Sequence, residues 1–348
     1  MFFNSACLVF IHTCSGCSIF INALLIPLIW YRSSMEIGNY RHLLFAYSLS
    51  TLAFASISFL TVPIFAPTKE GWIMFATQNI FPQYIGSWLN VLLCGCYVVQ
   101  ISVITLSFYY RFLVVCRPNR LYWFHNFKNL LVLLLLCGFF CFLWTGVTAF
   151  FLRPTKVLNA VFADHVFSIT GHSIENVSYI AGIAYSEGHL LWEYVCIFSC
   201  RIFIVAISSG VILFSALRIL KKFKSYIKLS SRREKMMQIQ RKLFKLLLVQ
   251  TLVPLLLVYL PAVCGYIFGF LRISCPQLTI LFSTALPLAQ VIDPLLIMLI
   301  VSDYRRALCK TVLRRIPAGE HDEPILFASS ERSSTPRNVF PNTEGRNI

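Results

Sequence analysis

Two charged side chains inside long apolar stretches are the residues of this sequence best placed to do chemistry. Arg201 is the only charged residue of 194–217, and Asp293 is the only one of 273–302. A charge in such a stretch is costly in a lipid bilayer and is a functional candidate for that reason. Arg201 follows Trp192 by nine residues, which is about 13 Å along a helix, so its guanidinium does not easily reach the nearer surface.

The sequence leaves three partners open for Arg201. They are a polar or anionic ligand, the carboxylate of Asp293, and the carbonyl and hydroxyl groups of neighbouring helices. Counting residues along the two stretches places Arg201 and Asp293 in opposite halves of a bilayer. We therefore favour the ligand over the ion pair.

A polar stripe on the third apolar stretch is a second candidate site. Asn90, Cys94, Tyr97 and Ile101 recur at the spacing of one helix face. Three further polar residues are predicted to complete a ligand pocket with Asn90 and Tyr97: Tyr259, Tyr266 and Thr284. Such pockets are mostly apolar with a few placed polar groups. Hydrogen bonds between helices are the alternative role for each of these side chains.

Signatures of catalysis and metal binding are absent from the sequence. It contains no HExxH pair, no glycine-rich phosphate loop and no nucleophile elbow, and its apolar stretches hold almost no ionisable groups. We expect no enzyme activity, no cofactor and no metal. Most of the 13 cysteines fall in apolar stretches and are interpreted as small buried hydrophobic residues.

The elements that position these residues are predicted to be membrane-spanning helices. Of the 348 residues, 57% are hydrophobic and 13% are charged, whereas soluble domains have about 25% charged residues. Seven stretches have the length of about 20 residues that a spanning helix needs: 7–31, 43–65, 86–110, 130–152, 194–217, 246–271 and 273–302. The predicted fold is an all-α membrane protein, a seven-transmembrane helix bundle that occupies residues 1–302.

Basic residues are distributed unevenly between the two sides of this predicted bundle. Alternate connections and the segment after Ser302 carry 25 of the 30 Lys and Arg residues, and the opposite connections carry four. Because basic residues favour cytoplasmic loops, we predict that the N-terminus is outside and the C-terminus inside. The net charge of +16 then reflects topology and not nucleic-acid binding. The outer side carries Asn176, a predicted glycosylation site in the sequon Asn176-Val177-Ser178.

Short motifs on helices three, six and seven suggest a conformational switch. Helix three ends with Tyr110-Arg111-Phe112, helix six contains Pro261, and helix seven contains Asp293-Pro294. Proline frees backbone carbonyls and makes a helix bendable. The set is similar to the switch positions of G protein-coupled receptors, where an Arg at this site docks the G protein. Arg111 is predicted to lie where the helix meets the cytoplasm, and a membrane-surface anchor is its alternative role.

Longer strings carry a more specific resemblance. They cover residues 37–44, 110–112, 116–118, 175–180, 240–245, 249–254, 293–295 and 302–306. From about residue 35 to 310, the chain resembles the nematode seven-transmembrane chemoreceptors of the Str superfamily (serpentine receptor class r), which includes the diacetyl odorant receptor. The resemblance implies a chemosensory receptor that binds a small odorant-like molecule and couples to a heterotrimeric G protein. It also implies the plasma membrane, on the cilium of a sensory neuron.

The sequence departs from the better-known rhodopsin-like pattern. Tyr109 and Tyr110 replace the acidic residue before the Arg, Asp293 stands where Asn is usual, and Ile297 stands where Tyr is usual. Helix six also lacks a Trp before its Pro. An acid–Arg lock therefore cannot operate here in that form, and the sequence leaves open what holds the inactive state.

The predicted cytoplasmic side has three further features. The segment 218–245 carries eleven Lys and Arg residues and one acid, which makes it a face for an acidic partner or for anionic lipid as well as a topology determinant. Residues 303–316 are predicted to form an amphipathic helix on the lipid bilayer, with Cys309 as a candidate palmitoylation site. Residues 317–348 are predicted to be disordered.

A ligand-gated channel or small-solute transporter is the alternative class of function. Transporters tend to show internal repeats and ion-coupling carboxylates near the membrane midplane. The predicted spans hold one carboxylate, their number is odd, and no repeat is found. These features favour the receptor.

Overall fold

Apolar helices make up most of the chain in the computed structural model, which describes residues 5–33, 40–78, 80–186, 188–225, 231–273, 276–301 and 303–307. The helices are α1 (Ser5–Arg32), α2 (Tyr40–Thr61), α3 (Gln83–Cys116), α4 (Tyr122–His125), α5 (Phe127–Phe151), α6 (Lys156–Thr170), α7 (Trp192–Ser225), α8 (Ser231–Pro254), α9 (Leu260–Phe270) and α10 (Pro276–Ile300). Among the described residues, six helices are long and apolar enough to cross a membrane: α1, α2, α3, α5, α7 and α10. Together with α8 and α9 they form the predicted seven-helix bundle.

The sixth span is a broken helix and differs from the uninterrupted one predicted over 246–271. α8 ends at Pro254, a π-helical segment covers Leu255–Tyr259, and α9 continues to Phe270. A proline removes one backbone N–H and crowds the preceding turn, and π-helical segments commonly accompany kinks. The regular α-helical hydrogen bonding of this span is therefore interrupted in its middle.

Three helices reach further than the apolar stretches that predicted them. α3 ends at Cys116 instead of residue 110, α7 ends at Ser225 instead of 217, and α8 begins at Ser231 instead of 246. Lys, Arg and Gln are good helix formers and carry α7 and α8 past their apolar parts. α3 instead continues through Arg111 into the apolar residues 112–116. As a result, Arg111 lies more than one turn before the end of α3.

A small β-sheet covers one end of the bundle, where the sequence predicted only loops. Its strands are β1 (Pro63–Pro67), β2 (Gly71–Ala76) and β3 (Tyr179–Ile183), antiparallel in that order, and a separate hairpin pairs β4 (Tyr185–Ser186) with β5 (His189–Leu190). Residues 63–65, predicted to belong to the second helix, are part of β1. The reason is Pro63, because the residue before a proline is disfavoured in the helical conformation, and Val62 leaves the helix with a φ of 44°.

The two faces of this sheet pack against different partners. Side chains alternate along a strand, so Ile73 and Phe75 of β2 pack with Phe162 of α6, while Trp72 and Met74 of the same strand pack against the helix bundle. All six residues of β2 are buried. We call this end of the bundle the sheet end.

A second hydrophobic core lies at the other end of the bundle, which we call the Arg111 end. Its buried members come from α1, α2, α3, α7, α8 and α10 and include Tyr40, Phe108, Tyr110 and Phe244. Of the predicted amphipathic helix, residues 303–307 are helical, and Tyr304 packs into this core. Cys309, the rest of that helix and the predicted disordered segment 317–348 lie outside the described residues.

Candidate functional site

A cavity of about 170 Å³ lies between the sheet and the helices of the sheet end. Its wall is formed by α2, α3, α5, α7, α9 and α10 together with β1 and β2, and seven of the fifteen residues that line it are aromatic. The aromatic residues of the wall are Phe54, Phe65, Trp72, Tyr97, Trp144, Phe198 and Phe282. Arg201 supplies the charge on this wall, so the cavity combines a large apolar surface with one cationic group.

The Arg201 guanidinium is held by a hydroxyl and by two indole rings. Its Nη2 donates a hydrogen bond to Thr148 Oγ1 at 2.9 Å. The guanidinium carbon lies 5.0 Å from the ring centroid of Trp144 and 5.7 Å from that of Trp72. Cations are attracted to aromatic faces, most strongly to Trp, which offsets the cost of placing this charge where only 5% of the side chain is exposed.

Asp293 has a different partner, so the ion pair considered from the sequence is not the arrangement found. Its Oδ2 accepts a hydrogen bond of 2.6 Å from the hydroxyl of Tyr47 on α2. The side chain is 1% exposed. Arg201 and Asp293 thus belong to separate clusters in the bundle.

The other residues predicted to line the pocket fall into three groups. Tyr97 does line the cavity, with its ring centroid 6.1 Å from that of Trp144. Thr284 does not, because its hydroxyl donates to the backbone carbonyl of Ile280 in its own helix. The side chains of Tyr259, Tyr266 and Pro261 lie outside the described part of the chain.

Asn90 anchors the sheet and is absent from the cavity wall. It is fully buried, and its Nδ2 donates to the backbone carbonyl of Ser178, just before β3, at 3.2 Å. One turn earlier on α3, a Cβ on Gly86 would meet Ser178 Oγ at 2.1 Å. The segment entering β3 therefore occupies the space into which Asn90 was predicted to point, and the nearby Asn176 remains exposed.

Arg111 is buried, and its prediction at the wet edge of the bundle is wrong. Only 1% of its side chain is exposed. Its Nη1 donates a 2.6 Å hydrogen bond to Gln240 Oε1 on α8. The guanidinium carbon lies 3.8 Å from the ring centroid of Tyr40 on α2 and 5.9 Å from that of Tyr110. The extensions of α3 and α8 beyond their apolar parts explain this burial, since they cover the level of Arg111.

Pro294 opens a contact between α10 and α1. A proline cannot donate to the carbonyl four residues before it, which here is that of Gln290. The hydroxyl of Ser18 on α1 donates to this carbonyl at 2.9 Å, and the Gln290 side chain meets that of Gln100 on α3 at 3.4 Å. A polar layer next to Asp293 therefore joins three helices near the proline.

The sequence interpretation missed several residues of the cavity. Trp72 and Met74 line the cavity from strand β2. Trp144 and Thr148 contact Arg201 from α5, which the sequence marks only as an apolar span. No alternation of polar and apolar residues along 71–76 reveals the strand, because the segment Gly-Trp-Ile-Met-Phe-Ala has no polar side chain and all six residues are buried. Nothing in the local pattern of α5 marks its partnership with Arg201.

Known proteins resemble this chain in sequence and in fold. The family described as serpentine type 7TM GPCR chemoreceptor Str matches residues 8–309. Serpentine receptor class r-10 of Caenorhabditis briggsae is 27% identical over 282 residues, which cover 79% of this chain and 81% of that protein. G-protein coupled receptor str-33 of Caenorhabditis elegans is 28% identical over 306 residues, 84% of this chain and 86% of that protein.

The crystal structure of squid rhodopsin has a similar fold. It matches with a TM-score of 0.63 over 91% of this chain and 87% of the rhodopsin chain. The sequence identity is 14%, so this likeness concerns the fold alone.

Proposed function

Because the chain belongs to the Str family of serpentine seven-transmembrane G protein-coupled chemoreceptors, we propose that it is an olfactory-type receptor that binds a small environmental molecule beside Arg201. It then signals through a heterotrimeric G protein at the Arg111 end. Members of this family are membrane receptors and not enzymes. The observation that carries the proposal is the aromatic cavity with one buried cation in its wall.

The cavity favours a ligand with an apolar body and one hydrogen-bond acceptor. At about 170 Å³ it is smaller than the roughly 300–1,000 Å³ of drug-sized sites, which suits a small molecule. The aromatic wall would cover the apolar part of the ligand. A carbonyl or carboxylate oxygen of the ligand would bind the Arg201 guanidinium, whose five N–H groups are all donors.

Release of Arg111 is the proposed coupling step. A G protein reaches this arginine only if α8 moves away from α3, because Gln240 and Tyr40 enclose it in the present arrangement. Arg111 Nε and Nη2 have no hydrogen-bond partner among the described residues. Unsatisfied buried donors cost about 1–3 kcal/mol each. This cost reduces the free-energy difference between the closed arrangement and one in which Arg111 is exposed. A ligand that binds the open state better shifts this balance.

The proposed orientation puts the sheet end outside and the Arg111 end in the cytoplasm, in the plasma membrane of a sensory cilium. The asymmetry of basic residues supports this orientation. Epitope tags between residues 226 and 230 should be protected in intact cells, and glycosidase should shift the gel band of the native chain but not of Asn176→Gln. Surface labelling of the 226–230 tag would contradict the orientation.

An odorant screen tests the proposed function. Cells that express the chain with a promiscuous G protein α-subunit should give calcium signals to small carbonyl compounds or acids. Arg201→Gln should weaken those signals, while Thr284→Val, which removes a hydroxyl bonded within its own helix, should not. An ion current in membranes without G protein would instead support a ligand-gated channel.

A further inference from the structure

A cationic groove lies between α3 and α7 at the Arg111 end. It encloses about 320 Å³ and is lined by Phe112, Cys116 and Arg117 from the end of α3, and by Phe214, Arg218, Lys221 and Lys222 from α7. Four of these seven residues are cations and none is an acid. Such a concentration of positive charge favours an anionic occupant.

The floor of the groove is apolar and its rim is charged. The rings of Phe112 and Phe214 meet edge to face, with centroids 5.5 Å apart. The Arg218 guanidinium carbon lies 5.3 Å from the centroid of Phe214. Cys116 and Arg117 also line an adjoining cavity of about 330 Å³ that contains Arg120, so a fifth cation lies next to the groove.

The groove opens on a different side of α3 from Arg111. Arg111 contacts α2 and α8, whereas the next residue, Phe112, contacts α7. On α7, Leu213, Phe214 and Leu217 beside the groove are 60%, 51% and 57% exposed. Apolar side chains this exposed on a spanning helix are covered by lipid acyl chains, so the groove faces the bilayer.

We propose that this groove binds the headgroup of a polyphosphorylated anionic phospholipid, whose acyl chains lie along α7. The groove is lined by four cations. A single phosphate could contact only some of them, whereas a headgroup with two or three phosphates can contact more of them at once. Basic pockets between spanning helices on the cytoplasmic side are a known setting for such headgroups. The site goes beyond the proposed function, and it is independent of ligand binding at Arg201.

Native mass spectrometry of the purified, detergent-solubilised full chain tests this site. Phosphatidylinositol 4,5-bisphosphate, phosphatidylserine, phosphatidylcholine and soluble inositol trisphosphate are titrated separately. We expect the bisphosphate lipid to bind most tightly and phosphatidylcholine most weakly. Each basic residue near a membrane surface contributes about 1 kcal/mol to the binding of anionic lipid, so the triple variant Arg117→Gln/Arg218→Gln/Lys222→Gln should weaken binding about 100-fold.

A matched variant controls for net charge. Arg32, Arg41 and Lys128 are exposed and lie outside the groove, so Arg32→Gln/Arg41→Gln/Lys128→Gln removes the same charge and should bind the lipid like the native chain. If the triple groove variant fails to fold, the double variant Lys221→Gln/Lys222→Gln replaces it, with a loss of about 30-fold expected.

Three results would overturn the proposal. Equal losses in the groove and control variants would mean general electrostatic attraction. Soluble inositol trisphosphate that binds as tightly as the lipid would mean a site for a free anion. Unchanged lipid binding by the groove variant, with reduced G protein nucleotide exchange in neutral lipid, would assign the groove to a protein partner.

Discussion

The two buried arginines of the bundle differ in what surrounds them. Arg201, near the sheet end, borders a cavity and contacts Trp144, Trp72 and the hydroxyl of Thr148. Arg111, at the other end, is enclosed by packed rings and donates to the neutral amide of Gln240. The same side chain thus has open space beside it in one region and a filled core around it in the other.

We propose from this difference that the two arginines have opposite roles. A cation next to a cavity can gain a partner without any helix moving, so Arg201 suits ligand binding. A cation inside a packed core can gain a new partner only if the core opens, so Arg111 suits a conformational switch. Because the chain lacks the acid of a rhodopsin-like lock, Gln240 and Tyr40 are the residues that hold Arg111 in place.

The largest effect is expected at the switch. Arg111→Ala should abolish agonist-stimulated nucleotide exchange on the G protein, since the proposed docking group is gone. Exchange is measured in membranes normalised to surface expression, because loss of a buried side chain also lowers folding yield. Lys128→Ala, an exposed change on α5, is the control. If Arg111→Ala supports full nucleotide exchange on the G protein, Arg111 contributes to packing and not to coupling.

A smaller but specific effect is expected at the cavity. Hydrogen bonds to charged groups contribute about 1.5–3 kcal/mol, so Arg201→Gln should lower the potency of acceptor-bearing ligands about 10- to 100-fold. The potency of ligands of the same shape that lack an acceptor should change little. Dose–response curves for matched ligand pairs measure this. Asp293→Asn should not restore the potency lost in Arg201→Gln, because Asp293 accepts a hydrogen bond from Tyr47. Restored potency would support an ion pair between Arg201 and Asp293.

A third experiment tests what holds Arg111 closed. Gln240→Leu removes the amide acceptor and should raise ligand-independent signalling about tenfold, the lower end of the contribution of a hydrogen bond to a charged group. Gln240→Glu should do the reverse, because a carboxylate pairs with Arg111 more strongly than an amide. Basal calcium or nucleotide exchange at equal surface level is the measurement. Lower basal activity in Gln240→Leu would contradict the proposal that Gln240 holds Arg111 in the closed arrangement.

The smallest expected effect is a pH dependence confined to the sheet end. Burial lowers the pKa of His165 on α6, although the nearby carboxylate of Glu70 partly opposes this, and His165 Nε2 has no hydrogen-bond partner among the described residues. The unfolded chain then binds a proton more readily than the folded one, so stability is complete above about pH 6.5 and is lost as pH falls through the lowered pKa. Thermal melting at pH 7.5 and 5.0 should show a small loss that His165→Gln removes, and an equal loss in that variant would place the titration elsewhere.

Predictions from the sequence succeeded where a local pattern carries the information. The spans followed from the length of apolar stretches, because a helix in lipid must satisfy its own backbone groups. The family followed from strings such as 175–180 and 240–245, now supported by a match over 8–309. Arg201 was singled out because a charge in an apolar stretch is costly wherever it finally lies.

Helix ends and the sheet were less accessible from the sequence. Counting apolar residues placed the end of α3 at 110, and the helix runs on to Cys116, which is why Arg111 was expected at the surface. A count of apolar residues does not distinguish those of β1 and β2 from those of a helix. Pro63 is the local signal that the second helix ends before β1.

The sequence by itself determined the seven apolar spans, the asymmetry of basic residues and the family, because each of these depends on residues that are close together along the chain. Only the tertiary structure decided which side chains meet. Gln240 lies 129 residues from Arg111, Thr148 lies 53 residues from Arg201, and Trp72 comes to the cavity from a strand. Such contacts depend on how whole helices pack, and no local periodicity encodes them.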